Sequence, residues 1–363
     1  MFLSILISVP YFFKYKGGFV FPIQLICVSI LISVFMAKYT WGQGYEYSST
    51  SIPYAMWFVF FYLLKLKIPI RTLENIIVIF GVIYIVLFLF QFTHNGVVYF
   101  GTQEEFKEDR GITRVNFPGG GVFFLSCFIA INKVTSRAKY KWWWLLFSVT
   151  GIIIIVLQVT RQEIFVLILL YLIHFLRNSK LPHKIGAIAL LCLCSYIFYN
   201  SGSSISKGLI EQQKNDLTEG KNYIRVLEAE YYLTQFTPNV ISQILGNGFF
   251  NDNSNYGKSL IALNDYYGYY LTDVGLVEVY IMFGILALFG YLWLFIKSVV
   301  IPLPKNYYYL KYYLWFIILT SLTSDFLVSY NFLITTVFVL YCYQSVYHEN
   351  QINRPILKAV KLQ

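Results

Sequence analysis

The stretch "IIIIVLQVTRQEIFVLILLYLI", residues 152–173, decides the fold class. It is nearly all hydrocarbon, yet Thr160, Arg161, Gln162 and Glu163 stand in a row at its centre. An arginine at a bilayer centre costs about 2.5–3.5 kcal/mol on insertion scales. Near an interface it costs much less, because its long stem lets the charge reach the headgroups. The run therefore reads as two apolar spans meeting at a polar hairpin turn, provided that the surrounding chain lives in a membrane.

The composition says that it does. Of 363 residues, 57% are hydrophobic and 13% are charged, against about 25% charged in an average soluble domain. Apolar runs of membrane-spanning length recur from end to end. This implies an all-α polytopic membrane protein, a single integral membrane domain over residues 1–363, with no soluble domain long enough to fold alone. An outer-membrane barrel would alternate in short strands instead. Cys27, Cys127, Cys192, Cys194 and Cys342 all fall inside apolar runs. There cysteine acts as a small hydrophobe, so no disulfide framework, metal site or cofactor is expected. The first apolar stretch precedes its positive charges, Lys14 and Lys16. A signal peptide has the opposite order, so a retained first span is expected. No nucleic-acid partner is expected.

Eleven spans are expected: 2–13, 19–37, 52–64, 73–92, 117–132, 142–159, 163–176, 185–200, 267–296, 312–325 and 327–346. Several are shorter than the ~20 residues a perpendicular helix needs, so they thin the bilayer or break within it. Alternate connections hold 18 of the 28 basic residues, with only Glu74 and Glu349 among the acids. By the positive-inside rule that side is cytoplasmic. The N-terminus then lies outside the cell membrane and the C-terminus inside.

This orientation leaves residues 38–51, 93–116 and a large loop, 201–266, on the outer face. Within the loop, "NYIRVLEAEYYLTQF" carries Val226, Ala229, Leu233 and Phe236 at helical spacing. A short helix is expected there, capped by Asn222, ended before Pro238, and bordered by Arg225. "GNGFFNDNSNYG" reads as a turn-rich segment.

Candidate residues follow from the chemistry of the outer face. Arg161 either snorkels from a hairpin turn to headgroup phosphates or points into a cavity and holds an anionic substrate. Arg114 precedes the glycine run of "VNFPGGG". The acids of "EEFKEDR", 104–110, read as a solvated loop without a ligand pattern. Asp273 and Glu278, in the outer half of an apolar run, should face protein or water. "DYYGYY", 265–270, suits an interfacial aromatic belt, although tyrosines also stack on sugar rings. His94 and His174 read as structural.

"VTRQE" at a hairpin, then "RVLEAEYYL" in a large external loop, then "ILGNGFF", then "LTDVGLVEVYIMFGILAL" is an ordered set. Over residues 93–296 it resembles the bacterial O-antigen and capsular polysaccharide polymerases (Wzy-type), whose fold is shared with the O-antigen ligases. The resemblance implies a membrane-embedded glycosyltransferase working on the outer face of the cytoplasmic membrane. Its substrate would be an undecaprenyl-diphosphate-linked oligosaccharide, and its partners would be membrane lipids, a flippase and a chain-length regulator. It assigns Arg161, Arg225 and, with them, Arg114 to the diphosphate. Guanidinium forks bind phosphate in a bidentate way and can stabilise the charge of a departing lipid diphosphate without a metal.

One departure from the ligases is plain: residues 201–272 contain no histidine, and "LND" (263–265) stands nearest to where it would be. This favours a polymerase and leaves the general base open among Asp252, Asp265 and Asp273. Thr160 and Asn255 complete the expected substrate contacts. The alternatives are a ligase-type glycosyltransferase, or a transporter or flippase of polysaccharide precursors. A transporter should carry inverted repeats and midplane ionisable residues, and neither is evident.

Overall fold

In a computed structural model, the structure describes residues 2–48, 54, 56–94, 96–100, 108–109, 112–113, 115, 118–136, 138–178, 180–220 and 223–360. The helices are α1 Phe2–Phe12, α2 Val20–Trp41, α3 Tyr45–Ser48, α4 Val59–Leu66, α5 Ile70–Thr93, α6 Gly120–Thr135, α7 Lys141–Leu157 and α8 Arg161–Asn178. They continue as α9 Leu181–Asn200, α10 Ser204–Glu219, α11 Ile224–Tyr231, α12 Val240–Leu245, α13 Asn255–Tyr267, α14 Leu276–Val300, α15 Tyr308–Thr320 and α16 Tyr330–Val360. The only strands among the described residues are β1 Glu108–Asp109 and β2 Ile112–Thr113, an antiparallel pair.

The architecture is helical, as expected. A helix overlaps each of the eleven expected spans, with bounds that differ, but α2, α5 and α14 alone, among the described residues, are both long and apolar enough to cross a membrane. The expected span 267–296 needs correction. Residue 267 ends α13, Leu271–Val274 form a 3-10 turn, and the apolar helix starts only at Leu276. The break falls at Gly268 and Gly275, both at positive φ.

The chain forms two compact units. The first comprises Met1–Leu73, Asn222–Pro304 and Ile317–Gln363, the second Glu74–Lys221 and Lys305–Phe316. In the second, α6 packs on α7 and α8, and α8 on α9. His174, 1% exposed, joins Thr135 Oγ1 at 2.7 Å and Tyr312 OH at 3.2 Å, the structural role expected of it. Lys133 pairs with Glu74 at 3.0 Å, and Tyr309 donates to the other carboxylate oxygen at 2.7 Å.

In the first unit α14 lies along α2, with α12 against both. Helix α14 is broken in the middle: Gly284 has φ 79° and ψ −177°. A break frees carbonyls, and in an apolar surrounding each must find a donor. Ile281 O receives Asn247 N–H at 2.8 Å and Asn247 Nδ2 at 3.1 Å, and Met282 O receives Gly248 N–H at 2.8 Å. Ser29 Oγ donates to Phe283 O. The "GNG" of residues 246–248 is thus a wedge inserted into a broken helix. Asn247 is 0% exposed and also joins Thr237 Oγ1 and Trp41 Nε1.

Candidate functional site

The opening hairpin exists, with its turn earlier than expected. Helix α7 ends at Leu157, residues 158–160 turn, and Arg161 opens α8. "TRQE" is therefore not the turn: Arg161, Gln162 and Glu163 form the first helical turn. The reason is Val159, buried at φ 59°. A β-branched residue there is strained by about 1–3 kcal/mol. Its neighbour Gln158 anchors the bend by donating to Tyr84 OH at 2.9 Å.

Arg161 Nη1 reaches Gln213 Oε1 of α10 at 3.3 Å. Glu163, in the same first turn, brings the negative charge that the helix dipole favours there. Thr160, half-buried, makes a 3.5 Å contact from Oγ1 to Gln158 O. Both residues belong to the second unit. Arg114 and acids 104–107 lie outside the described residues.

The remaining catalytic candidates come together in the first unit. Helix α11 carries Arg225, and the 3-10 turn Leu271–Val274 carries Asp273. Arg225 Nη2 lies 3.8 Å from Asp273 Oδ2, with the side chains 33% and 44% exposed. One turn further along α11, Glu228 Oε1 accepts the Tyr270 N–H at 3.1 Å. Residues 225 and 228 thus clamp residues 273 and 270, an i, i+3 pair against an i, i+3 pair. Gly275 then turns the chain into α14: its φ is 41°, and Leu276 N–H donates to Ser321 O at 2.9 Å.

The expected apolar stripe of α11 holds at Phe236 and is corrected at Val226 and Leu233. Val226 and Leu233 are 48% and 49% exposed, whereas Glu228, Tyr232 and Phe236 are buried. Helix α11 passes into a π turn, Tyr232–Phe236, which rotates the face presented inward. Burial of a glutamate there could not be read from hydrophobicity. Asn222, the expected cap, lies outside the described residues, and the helical segment ends at Phe236, before Pro238.

Two carboxyls that the sequence reading did not assign to the site flank Asp273. Glu278 is 2% exposed, and among the described residues its Oε2 has no hydrogen-bond partner. Asp325, on the α15–α16 connection, lies within electrostatic range of both Glu278 and Asp273. Glu278 does face protein, as expected of an isolated carboxylate in an apolar run. A buried carboxyl with an unpaired oxygen is costly and is a mark of sites more than of packing. The signal for Glu228 was its i+3 spacing from Arg225. Asp325 gave none.

Asp252, Asn255 and Asp265 are exposed. Asn255 opens α13 and Tyr267 closes it. At ~1.5 Å per residue, that puts Asn255 about 18 Å from Tyr267. Among the described residues, none of the three hydrogen-bonds to Arg225.

Glu228 gives this clamp a pH dependence. Burial pushes its carboxyl up to about 7 from an ordinary 4.5. The Tyr270 N–H pulls it back, Asp273 pushes it further up, and Arg225 pulls it down. The folded protein therefore binds a proton between about pH 4.5 and 7 that the unfolded chain has lost. The resulting stability is fully present below the lower value and is lost as pH rises through the upper one. Glu228→Gln keeps the acceptor for Tyr270 N–H and removes the titration. The wild type should lose thermal stability across this window, while the glutamine variant stays flatter. Parallel melting curves for the two proteins would contradict the assignment.

No protein-family model matches this chain, and no curated protein matches it.

Proposed function

We propose that this chain polymerises lipid-diphosphate-linked oligosaccharide repeat units into a surface polysaccharide, by glycosyl transfer on the outer face of the cytoplasmic membrane. The observation that supports this most is the Arg225–Asp273 pair, clamped by α11 at the entrance of α14. It joins two stretches of the ordered motifs, "RVLEAEYYL" and "LTDVGLVEVYIMFGILAL", in one half-exposed site. The chain crosses the membrane eleven times, with its N-terminus outside.

In this reading an acceptor hydroxyl attacks the anomeric carbon of the growing chain. The carbon–oxygen bond to the diphosphate breaks, and its electron pair leaves with the phosphate. Arg225 meets that growing charge through a fork that suits phosphate oxygens. Asp273 accepts the hydroxyl proton; of the three open candidates it is the one beside an arginine. The 3.8 Å separation makes a loose pair that an incoming dianion can open. Arg161 is assigned the same class of ligand and is tested on its own.

The deciding experiment deletes the gene and examines surface polysaccharide on a gel. Loss of long chains with single repeats retained supports the polymerase. Intact chains accumulating on lipid carrier mean a ligase, and repeats trapped on the inner leaflet mean a flippase. Cysteine reporters at residues 105 and 215 should label from outside, and those at 137 and 180 only after the membrane is opened. External labelling at 137 would refute the orientation. Polymerisation by the purified protein should also survive chelator. Loss that magnesium restores would move the charge-stabilising role to the acids of 104–109.

A further inference from the structure

Three tyrosine rings form a row, one on α11 and two on the chain that leads from the end of α13 into the turn carrying Asp273. Tyr231 ends α11, and its ring centroid lies 5.8 Å from that of Tyr269. Tyr269 lies 5.6 Å from Tyr267, the planes 31° apart. The pairing of residues 267 and 269 depends on Gly268, which caps α13 at φ 69° and turns the chain back. The row is held from behind. Tyr232 OH donates to Tyr269 O at 3.4 Å, and Glu228 accepts the next N–H, that of Tyr270. In front it is open: Tyr267 is 62% exposed and its neighbour Tyr266 83%. The hydroxyls of Tyr231, Tyr267 and Tyr269 hydrogen-bond to no protein group among the described residues.

An interfacial belt needs tyrosines at one depth. It does not need them in ring-to-ring contact, fixed by backbone hydrogen bonds, beside an ion pair. Those features suit a ligand with flat apolar faces and a rim of hydroxyls. A pyranose ring offers C–H faces to the aromatic faces and hydroxyls to the phenolic tips. Tyrosine supplies this contact at low entropic cost, because only two side-chain torsions have to be fixed.

We propose that Tyr231, Tyr269 and Tyr267 are a carbohydrate subsite, taking the uncharged sugar rings of the repeat unit while Arg225 meets its charged end. This rests on the polymerase reading and names the groups that recognise the sugar part of its substrate.

The test uses full-length protein in lipid nanodiscs. The probe is the single repeat oligosaccharide, released by mild acid from the host's own lipid carrier and therefore free of phosphate. Saturation-transfer NMR with irradiation of aromatic protons should light up sugar C–H protons. Tyr267→Ala and Tyr269→Ala should each weaken binding about 10-fold, the scale of one lost ring stacking. Phenylalanine at either position keeps the face and should weaken it less. Tyr39→Ala removes an equally exposed ring, 62%, outside the row and should leave binding unchanged. Tyr267 is exposed at a helix end, so its alanine variant is expected to fold. No transfer in the wild type, or equal transfer in both alanine variants, overturns the subsite and returns the row to a membrane belt. The gel of the deletion strain judges the polymerase separately. Tyrosine-dependent binding alongside unchanged surface chains would remove the function and leave the sugar site.

Discussion

Arg161→Lys should slow polymer formation roughly 10- to 100-fold at unchanged protein level. The figure is the loss of one charge-assisted hydrogen bond, ~1.5–3 kcal/mol, at ~1.4 kcal/mol per decade of rate. Lysine keeps the charge but not the two-pronged donor geometry. If Arg161 only snorkels to headgroups, lysine should serve as well and the variant should be silent. Alanine should be worse than lysine. Arg225→Ala should give a loss of the same size through the first unit. The Arg225 loss should be one of activity and not of folding. The Arg225–Asp273 pair is 3.8 Å apart and half-exposed, and such loose pairs near the surface contribute about 0–1 kcal/mol. Arg161 reaches Gln213 of α10 at 3.3 Å, and a melting curve of each variant separates lost stability from lost activity. The check is the gel ladder in the complemented deletion strain, with expression matched by immunoblot. Near-normal long chains in both Arg161 variants would return Arg161 to the hairpin role.

Helix positions were legible because long apolar runs leave little choice of structure in a membrane. What the sequence did not reveal are events inside those runs. Gly284 is one glycine in "YIMFGILAL", and nothing local distinguishes it from the unbroken Gly151 in α7. Its break becomes intelligible only with "GNG", 36 residues earlier at Asn247–Gly248, whose N–H groups take up the freed carbonyls. Likewise "ILGNGFF" reads as a turn until its partner is known. At the site, Asp273 was named because a carboxylate in an apolar run stands out, and Arg225 because the resemblance singles out an arginine on the external helix. Glu228 was hidden by an argument that buries only apolar side chains. The clamp exists because its hydrogen bond to Tyr270 N–H offsets part of the cost of burying a carboxyl.

Gly246→Ala should abolish the native fold of the first unit or lower its melting temperature sharply. A methyl at residue 246 would lie 2.5 Å from Met282 O, 2.6 Å from Gly284 N and 2.7 Å from Phe283 C. These are backbone atoms of the broken helix and cannot swing away as a side chain would. The same contact seen from the other side places a methyl on Gly284 2.5 Å from Ile244 O and from Leu245 C. Overpacking costs about 1–3 kcal/mol, and alanine at positive φ adds about 1–2 kcal/mol; the φ values here are 85° and 79°. Together they are a large part of a total stability of about 5–15 kcal/mol. Gly186→Ala, in α9 with nothing within 4 Å of the added methyl, is the control and should be neutral or slightly stabilising. Because residues 246 and 284 press on one another, the two penalties should not add. Once one methyl has pushed the wedge out of the helix break, the second meets less resistance, and the double variant should melt well above the additive expectation. A wild-type melting temperature for Gly246→Ala would mean that "GNG" does not sit in the break. Strict additivity would mean that the two glycines are needed for separate reasons.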